Sequence, residues 1–96
     1  MEKIGVNWEV KPSDASHEYA LEKFARYLQD NGIRSSTIDS YVIRVRKFLD
    51  YAQSERPLSS DFGEFREYLL KKNLSRSTIN NYCFAIQRYF MMHGDL

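Results

Sequence analysis

The sequence predicts an all-α fold: a compact four-helix domain made of two pseudo-repeated helical hairpins, with an extended N-terminal arm. Three observations carry this. Helix breakers are sparse, four Gly and two Pro in 96 residues. Apolar residues recur at three- and four-residue spacing, the period of a helix with one buried face. And the chain repeats itself at a spacing of 41 residues without a gap.

The arm comes first, residues 1–12. Ile4, Val6, Trp8 and Val10 alternate with polar or small residues, the period of an extended segment. Such an arm either lays Trp8 on the bundle or reaches a neighbouring protomer or DNA. The helical domain is expected over residues 13–93. Its first helix is predicted from Asp14 to Asp30, with Leu21, Phe24, Ala25 and Leu28 inward. Ser13 or Asp14 would cap its start and Asn31-Gly32 would supply a left-handed exit. The second helix is predicted from Ser36 to Ser54, with Ile38, Val42, Val45, Leu49 and Ala52 inward, and Pro57 forbids its continuation. The third runs from Ser60 to Lys72, capped by Ser59 or Ser60, with Phe62, Phe65, Tyr68 and Leu69 apolar. The fourth runs from Ser77 to Met92, with Ile79, Cys83, Ile86 and Phe90 inward.

The repeat ties these helices into pairs. The segment FARYLQDNGIRSSTIDSYVIRVRKFLDY from Phe24 lies over FREYLLKKNLSRSTINNYCFAIQRYFMM from Phe65, and 7 of 28 positions are identical. The identities include Tyr27/Tyr68, Leu28/Leu69, Tyr41/Tyr82 and an ungapped S-T-I-x-x-Y in both copies. Gly32 pairs with Asn73 at the helix exit, and Lys47 pairs with Arg88.

Composition excludes several function classes. No run approaches the ~18 apolar residues of a membrane span. The N-terminus lacks the basic-then-apolar form of a signal peptide. A single cysteine, Cys83, allows no intramolecular disulfide and suits a reducing cytoplasm. His17 and His93, each isolated in sequence, make no recognisable metal spacing, so neither metal nor cofactor is expected. There is no Gly-rich phosphate loop and no nucleophile at a recognisable distance from a base, so neither a catalytic residue nor a small-molecule substrate is expected.

The formal charge of +1 conceals a segregation: residues 1–30 carry −2, 31–56 carry +2, 57–70 carry −2 and 71–96 carry +3. The second helix of each hairpin, with its entry loop, is basic. Projection at about 100° per residue puts Ser36, Thr37, Ser40, Arg44, Lys47 and Tyr51 outward on the second helix, with Tyr41 at the margin. On the fourth it puts Ser77, Thr78, Asn81, Ala85 and Arg88 outward, with Tyr82 at the margin. Arg34 and Arg76 precede the two helices. A helix start bearing hydroxyls, free amides and an adjacent Arg favours phosphate. Arg, Lys and Asn farther along suit phosphate or base-edge contacts. The candidate duplex-binding set is therefore Arg34, Ser36, Thr37, Ser40, Tyr41, Arg44, Lys47, Arg76, Ser77, Thr78, Asn81 and Arg88. The same hydroxyls are ordinary helix caps, and exposed Arg and Lys are ordinary solvated faces. What raises the DNA reading is that the pattern occurs twice.

NGIRSSTIDSYVIRVRKFLDYA and NLSRSTINNYCFAIQRYFMMHG resemble the N-terminal core-binding, SAM-like domain of tyrosine recombinases, the phage-integrase family. The resemblance covers residues 14–93 and its motifs fall in the right order and separation. It implies that the second and fourth helices enter or flank the major groove at a core recombination site. It also implies that residues 94–96 start a linker to a C-terminal catalytic domain, where the Arg, Lys, His and Tyr of the recombinase chemistry reside. None of the seven tyrosines here takes the nucleophile's role. The charge is low for a tight clamp, so the domain alone is expected to bind DNA weakly.

Two alternatives stand beside a recombinase DNA-binding module: a stand-alone helical protein-interaction domain and an accessory DNA-binding protein. The first rests on Met92 and on Ile43 and Phe84. These last two are repeat partners that project about 140° from the buried centre and are candidate contacts between recombinase protomers. The second hairpin and the long SERPLSSD connector argue against a helix-turn-helix repressor.

Overall fold

The computed structural model describes residues 12–94, with side chains from His17 onward. The alternating segment through residue 11, with Trp8, and residues 95–96 lie outside the described residues. Four helices follow in order: α1 (Pro12–Asp30), α2 (Ser35–Ala52), α3 (Ser59–Lys71) and α4 (Arg76–Met92). There is no strand among the described residues.

Each helix starts one or two residues earlier than its apolar pattern predicts. α1 opens on Pro12, whose missing N–H costs nothing in the first turn, so Ser13 and Asp14 lie inside the helix. The start of α3 is also corrected. Its N-cap is Leu58, not Ser59 or Ser60, and the Asp61 carboxylate reaches back to accept the Leu58 amide at 2.8 Å.

The repeat reappears in the backbone. Among the described residues four have positive φ: Gly32 (79°), Gln53 (54°), Asn73 (60°) and Gly94 (74°). They form two pairs 41 residues apart, one closing the first helix of each hairpin and one closing the second. At the first of these exits the Gly32 amide donates to the Gln29 carbonyl at 3.0 Å and the Ile33 amide to Leu28 at 3.1 Å. This consumes carbonyls that the helix end leaves unpaired.

Packing is not a simple pair of hairpins side by side. α2 and α4 touch each other and both flanking helices, whereas α1 and α3 share no contact among the described residues. The central helices are therefore buried over a wider arc than one projected stripe. Phe48, fully buried, lies 5.3 Å from the Phe65 ring, 6.1 Å from Phe90 and 6.2 Å from Phe62. Its repeat partner Tyr89 is also fully buried, edge-on to Phe24 at 5.4 Å. Ala85, which the projection put outward, is fully buried for the same reason. Tyr68, one of the apolar residues of the third helix, is 41% exposed; among the described residues α3 packs only against α2 and α4.

The α2–α3 connector is tied down through Glu55. The Tyr89 hydroxyl donates to the Glu55 carbonyl at 2.6 Å. The buried His17 of α1 is not isolated: it lies between Glu55 and Asp50, 3.1 Å from an oxygen of each. Burial, then the Glu55 charge, push the Tyr89 phenol up to about 12, against a smaller opposing effect of Arg56.

Candidate nucleic-acid interface

The two basic helices begin at equivalent positions of the repeat but are capped differently. Arg34 is the N-cap of α2, with extended backbone (φ −71°, ψ 154°) and no side-chain cap. Its carbonyl accepts the Thr37 amide at 3.1 Å and the Ile38 amide at 3.0 Å. The first amides of α2 thus stay available to an anion, with the exposed Arg34 and Ser36 beside them. On α4 the N-cap is Ser75, the repeat partner of Arg34, and Arg76 is the first helical residue and does not precede the helix. The Ser75 hydroxyl accepts the Thr78 amide at 3.1 Å and donates to the Thr78 hydroxyl at 2.9 Å. In both helices the third amide is therefore engaged, by a backbone carbonyl in α2 and by a hydroxyl in α4, and the two amides before it have no intrahelical partner, so the two starts are equivalent phosphate seats.

Farther along, Lys47 and Asn81 are exposed, with Ser77 and Arg76, while Thr37, Ser40, Tyr41, Thr78 and Arg88 are half-buried. Arg44 stands apart. Its guanidinium donates to the Ser40 hydroxyl and to the Ser40 carbonyl, the latter at 3.2 Å, and lies 5.6 Å over the Tyr82 ring of α4. A cation over an aromatic face is held electrostatically and loses side-chain freedom before any ligand arrives. Arg44 therefore joins the candidate surface of α2 to that of α4. Its position in the repeat is occupied on α4 by Ala85, small enough to be buried where Arg44 reaches out. So the two faces are related but unequal: α2 supplies Arg44 and Lys47, and α4 supplies Asn81 and Arg88.

Sequence reasoning missed the local partners that lock Arg44 and Thr78. The four-residue separation of Ser40 and Arg44 was a visible signal; the approach of Tyr82 was not. Ile43 and Phe84 are 58% and 55% exposed, as their projection requires. Met92, named with them, is half-buried.

No described helix is long and apolar enough to cross a membrane. No curated protein and no solved structure matches the chain. A family model does: that of the phage integrase N-terminal SAM-like domain, over residues 21–93. That stretch spans the exit of α1, both basic helices and the whole of α3, and with it the 41-residue repeat. The match agrees with the S-T-I-x-x-Y pattern, the all-α hairpins and a non-catalytic domain with a role related to tyrosine recombinases. The chain belongs to the phage integrase N-terminal SAM-like family.

Proposed function

We propose that this domain is the DNA-binding module of a site-specific tyrosine recombinase, clamping duplex DNA at a core recombination site through α2 and α4. Catalysis would belong to a separate domain of the parent enzyme, acting in the cytoplasm. The observation that carries this is the Arg44–Tyr82 contact, which joins two repeat-related polar and basic surfaces into one. Phosphates would meet Arg34, Arg44, Lys47, Arg76 and Arg88, together with the Ser36 and Ser77 hydroxyls. Thr37, Ser40, Tyr41, Thr78 and Asn81 would set register or read base edges. Because most contacts go to phosphates, affinity should be modest and fall steeply with salt. Amide chemical shifts recorded during addition of a duplex test this directly. Changes concentrated at residues 34–47 and 75–88 support it; changes confined to α1 and α3, or no binding at low salt, refute it.

A second reading is favoured by Ile43 and Phe84, two large apolar side chains more than half exposed. Ile43 lines a groove between α1 and α2 with Leu21 and Val42 and with Glu18, Glu22 and Asp39. Under this reading these residues are contacts between protomers assembled on DNA, or the face of a stand-alone interaction domain. Ile43→Ser and Phe84→Ser should then reduce co-operative loading on a two-site duplex without altering single-site affinity.

A further inference from the structure

Beside the candidate duplex face lies a groove of about 510 Å³ between α2, α3 and α4. The volume falls within the range of ordinary ligand pockets, ~300–1,000 Å³. Tyr51, Phe65, Tyr68 and Tyr82 line it, with Lys47 and Lys72 among its walls. The rings form one continuous cluster: Tyr51 is 5.1 Å from both Phe65 and Tyr68, and Tyr82 is 5.8 Å from Phe65. Phe65 is core, but Tyr51 and Tyr68 are each 41% exposed, so their ring surfaces are open beyond what folding uses. The Lys72 ammonium lies 5.1 Å over the Tyr68 ring. One acid, Asp50, also lines the groove, and its carboxylate is engaged 3.1 Å from His17.

We propose that this groove binds an unpaired nucleotide, its base packed on the open ring surface of Tyr51 beside Tyr68 and its phosphate held by Lys47 and Lys72. Every base has a π-face, so aromatic rings beside lysines take single-stranded nucleic acid with little sequence preference. A cationic ligand is disfavoured by the two lysines, one of which already covers an aromatic ring. A purely apolar ligand leaves them without a counter-charge. The repeat-related groove, which holds Tyr27 and Met92, the repeat partners of Tyr68 and Tyr51, differs in charge: Lys23 and Arg26 there are balanced by Glu22 and Asp30. The inference rests on the DNA-binding reading above, through Lys47, and adds to it a second form of DNA.

The test compares a blunt, fully paired duplex with the same duplex carrying a three-thymidine single-stranded tail, both by fluorescence anisotropy at low salt. The tailed duplex should bind roughly fivefold to tenfold more tightly. Tyr51→Ala with Tyr68→Ala should abolish that preference and leave blunt-duplex affinity unchanged. Lys72→Gln, at an exposed position, should weaken that preference while leaving all four rings in place, which separates loss of binding from loss of folding. Equal affinity for the two duplexes, or a preference that survives both variants, overturns the proposal. If neither duplex binds, the duplex reading fails and a hexathymidylate titration decides the groove alone: amide shifts at residues 51, 68 and 72 sustain it, and their absence overturns it. Self-association abolished by the groove variants, with no tail preference, would assign the groove to a second copy of the chain and also overturn it.

Discussion

Tyr89 makes the stability of the domain depend on alkaline pH in a direction that follows from its burial. The side chain is fully buried and its hydroxyl donates to the Glu55 carbonyl at 2.6 Å, so the folded state holds the phenol neutral. Its titration moves from 10.0 up to about 12 through desolvation first and the Glu55 charge second. Below about pH 10 both folded and unfolded chains carry the proton and the full stabilisation is present. Between about 10 and 12 the unfolded chain ionises while the folded one does not, so stability falls as pH rises. A difference of about two pH units corresponds to roughly 3 kcal/mol, a large share of the ~5–15 kcal/mol by which domains are stable. The assay is urea unfolding followed by helical circular dichroism from about pH 8 to 12, on the wild type and Tyr89→Phe. The variant should start about 1 kcal/mol less stable, having lost one hydrogen bond. It should then lose less with pH, so that the two curves converge or cross. Absorbance at 295 nm should show one tyrosine titrating late in the folded protein and normally in urea. Equal pH slopes for the two proteins would refute the argument.

Two glycines with open space around them should respond in opposite directions. Gly32→Ala, at φ 79°, should cost about 1–2 kcal/mol although nothing lies within 4 Å of the added carbon; Gly63→Ala, inside α3, should gain up to about 1 kcal/mol, both measured by thermal unfolding. Arg88→Ala should weaken duplex binding and lower the salt slope by about one unit, with stability unchanged. Arg44→Ala should do the same and also cost about 0.5–1 kcal/mol of stability, since it loses its seat over Tyr82. A calorimetric and anisotropy comparison of the two variants separates these effects.

The four helices, their order and the hairpin repeat were legible from local information. Apolar spacing placed every boundary within two residues. The pairing of Gly32 with Asn73 anticipated two residues that adopt left-handed backbone at φ 79° and 60°. The outward direction of Ile43 and Phe84 was legible because each needs only the angle of one helix. Charge segregation between hairpin halves is likewise a property of the chain itself.

Tertiary structure decided whatever depends on the number and placement of neighbours. A projection assumes one buried stripe, but α2 and α4 each pack against three helices. Phe48, Ala85 and Tyr89 therefore sank into the core outside the projected stripe, while Tyr68 on the flanking α3 surfaced. The bracketing of His17 by Asp50 and Glu55, the latter 38 residues away, leaves no trace in local spacing. Neither does the four-ring groove, whose members come from three helices. Amino-acid order sets which residues share a helical face, because backbone geometry is periodic. Which faces meet is settled only when the apolar surfaces of all four helices are buried together, and that choice assembled the Arg44–Tyr82 bridge and the groove beside it.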